Sequence, residues 1–124
     1  MELNTYAKLE ADDILIWHDG PLTYFTKPIE DNIVFANAVI ERWDDELGYE
    51  SVLFVFSILN LSLYKQIREG SMSLRSALLD DSVTHLSGFP GESDGKIVGL
   101  LSKEELIEAN WLPSEDIKNI FDNI

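Results

Sequence analysis

The sequence predicts an α+β fold: a single domain over residues 1–124, mainly an antiparallel or mixed sheet of about five or six strands packed by short helices. Apolar residues alternate with a period of two in the first half of the chain, and the period changes to about 3.6 near Leu59. The 124 residues are 45% hydrophobic and 10% aromatic, which is enough to bury one core. We find no repeat, linker or low-complexity segment at which a second domain would begin.

The first half contains the predicted strands. Residues 14–17 and 22–25 are short apolar runs separated by the turn sequence Asp19-Gly20-Pro21, which predicts a hairpin. Residues 33–40 and 52–56 are apolar on both faces, as is typical of central strands covered on both sides or facing a partner. In residues 33–40 one face carries Ile33, Phe35 and Val39, and the other carries Val34, Ala36, Ala38 and Ile40.

The second half has helical spacing. Leu63, Tyr64 and Ile67 predict a helix that stops at Gly70, and a second short helix begins just past Ser73, a good N-cap residue. We expect both helices to cover one face of the sheet.

A further hairpin and two C-terminal helices complete the predicted fold. Residues 83–86 and 96–101 flank a turn-rich loop and predict the hairpin. Ser102-Lys103-Glu104-Glu105 fits a capping box that opens the first helix, which ends before Pro113. An amphipathic C-terminal helix follows, with its apolar residues at i, i+3, i+4 and i+7: Ile117, Ile120, Phe121 and Ile124.

The charge of the chain limits its partners. There are 23 Asp and Glu against 9 Lys and Arg, a formal net charge of −14. Such a surface repels nucleic acid and acidic lipid and attracts basic proteins. There is no cysteine, secretory signal or apolar run of membrane-spanning length, so we expect a soluble, cytoplasmic protein.

The densest acidic stretch, residues 41–50, is the candidate partner-binding site. It lies between the two most hydrophobic strands, and we expect it to project from the sheet edge as a negative patch with aromatic anchors. The alternative is a solvated loop that only keeps the edge soluble. The candidate residues are Glu41, Trp43, Asp44, Asp45, Glu46, Tyr49 and Glu50.

Motifs that would carry catalysis or bind a metal or cofactor are missing from the sequence. The acidic stretches lack the spacing of a calcium loop, and no glycine-rich phosphate loop or Gly-x-Ser-x-Gly elbow occurs. His18 precedes Asp19, but adjacent strand residues point to opposite faces, which opposes a catalytic dyad. We therefore expect no cofactor, no metal and no enzyme activity. The alternatives are a small carboxylate-dependent hydrolase using Asp44, Asp45 or Glu46, and a structural subunit without activity of its own.

One basic neighbourhood lies on the two predicted helices and consists of Lys65, Arg68 and Arg75. In so acidic a chain we expect internal ion pairs rather than an anion site. The expected partners are Glu69, Asp80 and Asp81.

Two short motifs in the chain resemble those of a known protein family. The turn Asp19-Gly20-Pro21-Leu22 and the segment Ser73-Leu74-Arg75-Ser76-Ala77 resemble an uncharacterised family of small bacterial proteins of unknown function. The likeness covers roughly residues 14–113 and implies an α+β layout. The family has no established activity, so no catalytic residue carries over. The long apolar strand over residues 52–59 and the helix from Ser114 depart from the family pattern.

Together these features predict a non-catalytic acidic protein-binding module. An inhibitor, or an immunity or antitoxin-type protein for a basic partner such as a toxin or nuclease, matches the charge and the aromatic anchors. The apolar surface leaves two assemblies open: a homodimer, or a monomer whose C-terminal helix covers the second sheet face.

Overall fold

The computed structural model describes residues 2–17, 21–44 and 49–113, with the backbone alone at residues 16–17, 21, 41–44 and 49–51. Within this part of the chain there are six strands and four helices. The strands are β1 (Ala11–Trp17), β2 (Pro21–Thr26), β3 (Asn32–Asp44), β4 (Tyr49–Asn60), β5 (Thr84–Phe89) and β6 (Lys96–Leu101). The helices are α1 (Asn4–Ala7), α2 (Leu61–Arg68), α3 (Leu74–Leu78) and α4 (Lys103–Glu108).

The strands form one antiparallel sheet in the order β1-β2-β3-β4-β5-β6. Every strand pairs with its neighbour in sequence, so the sheet is a simple meander with β1 and β6 at its edges. This confirms the predicted α+β class with a mainly antiparallel sheet, including both predicted hairpins.

The central strands are buried on both faces. On β3, Phe35 belongs to an apolar cluster that includes residues of α2, α3 and α4, whereas Val34 belongs to a second cluster on the opposite face. On β4, Leu59 and Phe56 divide between the same two clusters. The predicted facing of β3 is therefore confirmed from Ile33 to Val39, but not at Ile40, which follows the register shift after Ala38, pairs with Leu53 and is 41% exposed.

The helix boundaries follow local capping chemistry. The side chains of Asn60, Ser73 and Ser102 each accept a hydrogen bond from a backbone N–H in the first turn of α2, α3 and α4 respectively. Ser102 completes the predicted capping box with Glu105. Gly70 follows α2 with φ +79°, the left-handed conformation that terminates helices.

Helix α1 was not predicted. It has only four residues, too few to show a periodic pattern, and it covers the second sheet face through Ala7. The β5–β6 loop packs directly against it, because the N–H of Gly91 donates to the carbonyl of Ala7 at 3.1 Å. The predicted amphipathic helix at residues 117–124 lies outside the described residues.

The basic neighbourhood forms internal contacts, but its partners differ from most of those expected. Lys65 pairs with Glu69 at 3.8 Å as predicted. Arg68 pairs with Asp13 on β1 at 2.8 Å, and Arg75 donates to the carbonyl of Pro113 at 3.3 Å. The expected partners Asp80 and Asp81 contact Ser82 and Lys103 instead. The tertiary structure places Arg68 beside an acid on β1 and Arg75 beside a backbone carbonyl.

No helix in the described ranges combines the length and the apolar character needed to cross a membrane.

Candidate functional site

The β3–β4 hairpin extends beyond the rest of the sheet. Its pairing continues to Asp44 opposite Tyr49, whereas β2 pairs with β3 only as far as Asn37 and β5 pairs with β4 only as far as Phe54. Residues 40–44 and 49–53 therefore form a two-stranded arm, which we call the acidic arm. A register shift between Ala38 and Ile40 marks its base.

The acidic arm carries most of the predicted partner-binding residues. Glu41 is paired with Val52, Trp43 with Glu50, and Asp44 with Tyr49. Five of the seven candidate positions are thus ladder positions of one hairpin rather than parts of a long loop. Asp45 and Glu46 lie outside the described residues. The structure describes only the backbone of the other five: Glu41, Trp43, Asp44, Tyr49 and Glu50.

A second candidate is a buried serine–histidine pair that sequence reasoning missed. Ser57 on β4 lies directly opposite His85 on β5, and Ser57 Oγ is 2.6 Å from His85 Nδ1. His85 Nε2 is 3.0 Å from the carbonyl oxygen of Leu78, the last residue of α3. The two side chains are 2% and 3% exposed.

The hydrogen-bond partners fix the tautomer of His85. The carbonyl of Leu78 can only accept, so Nε2 carries the proton and donates to it. Nδ1 is then an acceptor, and Ser57 Oγ donates its hydrogen to it. Burial lowers the pKa of His85 below its usual 6.5, opposed by the hydrogen bond to Leu78, so the ring is neutral at pH 7.

This pair has the wrong geometry for nucleophilic catalysis. Both ring nitrogens are engaged, and Ser57 is enclosed in the face packed by α2 and α3. A Ser–His nucleophile needs its oxygen at a substrate-accessible surface. As placed, the pair joins β4 and β5 to the C-terminal end of α3, where terminal helix carbonyls need donors from elsewhere.

One feature of the sequence indicates that Ser57 has a buried hydrogen-bond partner. Ser57 is the single polar residue within the apolar run from Val52 to Leu59. A lone hydroxyl in a strand buried on both faces requires a partner. The sequence does not identify that partner, because the pairing of Ser57 with His85 depends on the register between β4 and β5.

A cavity of about 300 Å³ lies beside His85, at the end of the sheet where β5 begins and β6 ends. Its rim includes Asp80, Asp81 and Lys103. Asp81 forms an ion pair with Lys103, which raises the pKa of Lys103. Asp80 accepts hydrogen bonds from the hydroxyl and the N–H of Ser82, which lower the pKa of Asp80. The cavity is therefore polar on its rim, with two carboxylates and one ammonium.

Across the described ranges, no group of three or more His, Asp or Glu side chains is arranged to hold a metal ion. Asp45 and Glu46 fall outside those ranges, and only the backbone is described at Glu41, Asp44 and Glu50.

Comparison with protein-family models, with curated proteins and with solved structures finds no match to this chain. The resemblance to a family of small bacterial proteins therefore stays a prediction, as do the functional assignments.

Proposed function

We propose that this protein is a non-catalytic acidic protein-binding module that inhibits a basic partner in the cytoplasm, in the manner of an immunity protein or antitoxin, and that the acidic arm is the contact. The observation that carries the proposal is the shape of the arm. It places a dense run of acidic positions on a hairpin that extends past its neighbours.

Electrostatics supports a basic partner. A chain with a net charge of −14 attracts cationic proteins from a distance and accelerates their encounter. At physiological salt this attraction extends about 8 Å before screening dominates. As a partner protein approaches, charges on a projecting hairpin come within that distance of it earlier than charges on the body of the sheet do.

Aromatic residues on the arm are the proposed binding anchors. Trp43 and Tyr49 lie at neighbouring positions of the β3–β4 ladder. Tryptophan and tyrosine are enriched among the residues that dominate binding energy, whereas peripheral charges mainly set the association rate. We therefore propose that the carboxylates steer the partner and that the aromatics anchor it.

The first test identifies the partner. Affinity capture with the full chain from its native host, followed by mass spectrometry, should recover a basic protein whose capture weakens as salt is raised. Recovery of acidic or neutral partners alone would instead favour a structural subunit.

The second test assigns the site. Reversal of Asp44, Asp45 and Glu46 to lysine should lower the association rate with the captured partner by about tenfold or more and flatten its salt dependence. The matched control reverses three acids outside the arm, Asp12→Lys with Glu92→Lys and Glu108→Lys, for the same change of net charge. If both triple variants behave alike, net charge rather than the arm drives binding.

A further inference from the structure

The two edges of the sheet differ in their capacity to accept another strand. Edge strand β1 contains three register shifts, and Asp13 within it pairs with Arg68. Bulges and charges of this kind block edge-to-edge pairing. Edge strand β6, Lys96-Ile97-Val98-Gly99-Leu100-Leu101, contains no acidic residue and one register shift in its pairing with β5.

The surface of β6 is apolar and open. Val98 is 52% exposed and Leu100 is 70% exposed. At the start of the strand, the N–H of Ile97 donates to the side-chain oxygen of Asn4 at 2.8 Å, so α1 occupies the first donor position. Within the described residues no strand pairs with the outer side of β6. As far as the described residues go, the backbone edge from Val98 to Leu101 is therefore unpaired.

The cavity described above lies at the far end of this edge. Leu100 and Leu101 form part of its wall, and Asp80, Asp81 and Lys103 lie on its rim. Two carboxylates against one ammonium give the cavity a net negative charge. A side chain that combines an apolar stem with a cationic end, as lysine and arginine do, matches this lining.

We propose that the outer edge of β6 binds an extended peptide segment of a partner by strand addition, and that a lysine or arginine side chain of this peptide enters the adjacent cavity. Main-chain hydrogen bonds would supply affinity and the cavity would supply specificity, as in other cases of β-strand addition. Val98 and Leu100 contact alternate apolar side chains of the peptide.

Charge complementarity favours a cationic peptide over a second copy of this chain. Exposed acids flank β6 at both ends, with Glu92 and Asp94 in the preceding loop and Glu104 at the start of α4. Two copies paired along this edge would bring these like charges together on chains that each carry a net charge of −14. A peptide with basic residues is instead attracted.

This surface is separate from the acidic arm. The arm extends beyond Phe54, which pairs with Gly88 near the end of β5, whereas the cavity lies beside His85 near the beginning of β5. The two surfaces are thus at opposite ends of the strands. Variants of one can be tested without altering the other, and failure of the arm proposal does not affect this one.

The experiment uses the full chain and three labelled synthetic peptides that share a core of alternating valine and threonine and end in arginine, glutamine or glutamate at both termini. Fluorescence anisotropy measures their affinities. The arginine peptide should bind at least tenfold more tightly than the glutamate peptide, and amide resonances of residues 98–101 should shift on binding. Equal affinity of the arginine and glutamate peptides, or no binding of any peptide, would overturn the proposal.

Variants locate the site. Leu100→Glu should weaken the affinity for the arginine peptide at least tenfold. Ile14 is an exposed apolar residue on the opposite edge, and Ile14→Glu should leave this affinity unchanged. Asp81→Asn should weaken the affinity for the arginine peptide by roughly threefold to tenfold and leave the affinity for the glutamine peptide unchanged. Unaltered binding by Leu100→Glu would exclude the β6 edge. A dimer in sedimentation that Leu100→Glu dissociates would show that a second copy occupies the edge and the proposal is wrong.

Discussion

Replacement of Ser57 by alanine tests the role assigned to the buried serine–histidine pair. The substitution removes the hydroxyl that donates to His85 Nδ1 across 2.6 Å. His85 cannot compensate by moving its proton to Nδ1, because Nε2 would then face the carbonyl of Leu78 without a hydrogen to donate. The ring is 3% exposed, so the nitrogen left without a partner is not solvated by bulk water.

The expected cost follows from this geometry. An acceptor left unpaired in the interior costs about 1–3 kcal/mol, so we expect Ser57→Ala to lower the free energy of unfolding by about 2 kcal/mol. In urea denaturation at pH 7 this corresponds to a fall of roughly 1 M in the midpoint with an unchanged slope.

The matched control is Ser71→Ala, which deletes an exposed hydroxyl that donates to the carbonyl of Gln66 at 3.2 Å. Its effect should stay within about 0.5 kcal/mol. In a His85→Leu background, Ser57→Ala should also cost less than about 0.5 kcal/mol, because no acceptor is left unpaired. A loss below about 0.5 kcal/mol for Ser57→Ala with His85 intact would refute the reasoning.

Three further predictions concern the folded state as a whole. Because burial lowers the pKa of His85, the unfolded chain takes up a proton below pH 6.5 that the folded chain resists. Stability should fall as the pH drops from 7.5 to 5.5, and urea midpoints should fall less in His85→Leu. Gly95→Ala would place a methyl group 2.5 Å from the carbonyl oxygen of Ala7 and should cost about 2–3 kcal/mol. Gly70→Ala meets only backbone strain and should cost roughly 1 kcal/mol. Equal costs of the two substitutions in urea denaturation would contradict the packing of α1. Sedimentation at micromolar concentration decides between the homodimer and the monomer that the sequence left open, and a clean monomer would exclude the homodimer.

Much of the fold could be predicted because its signals are local. The alternation over residues 33–40 identified β3 and assigned the faces of its residues up to Val39, with Ile33 and Phe35 on the helix-covered side. Ser73 and Ser102 marked helix starts, because a side-chain oxygen that caps a helix bonds only two or three residues away. Such interactions are complete within a few residues of sequence.

The candidate sites depended more on the tertiary structure. The acidic stretch was visible in the sequence. The sequence did not show that most of its positions belong to a projecting hairpin, because this depends on where β2 and β5 stop pairing with β3 and β4. No sequence motif indicated the cavity at the end of β6, because Asp81 and Lys103 on its rim are 22 residues apart in the sequence.

The sequence by itself determined the α+β class, the two-sided burial of the central strands, the capped helices and the strongly negative charge. Period, capping and charge are properties of neighbouring residues, so they are present before the chain folds. Only the tertiary structure decided that Ser57 meets His85, that Arg68 reaches Asp13, and that no strand of the described residues pairs with the outer side of β6. These contacts depend on strand order and register, which are set by the combined burial of the whole sheet rather than by any one segment.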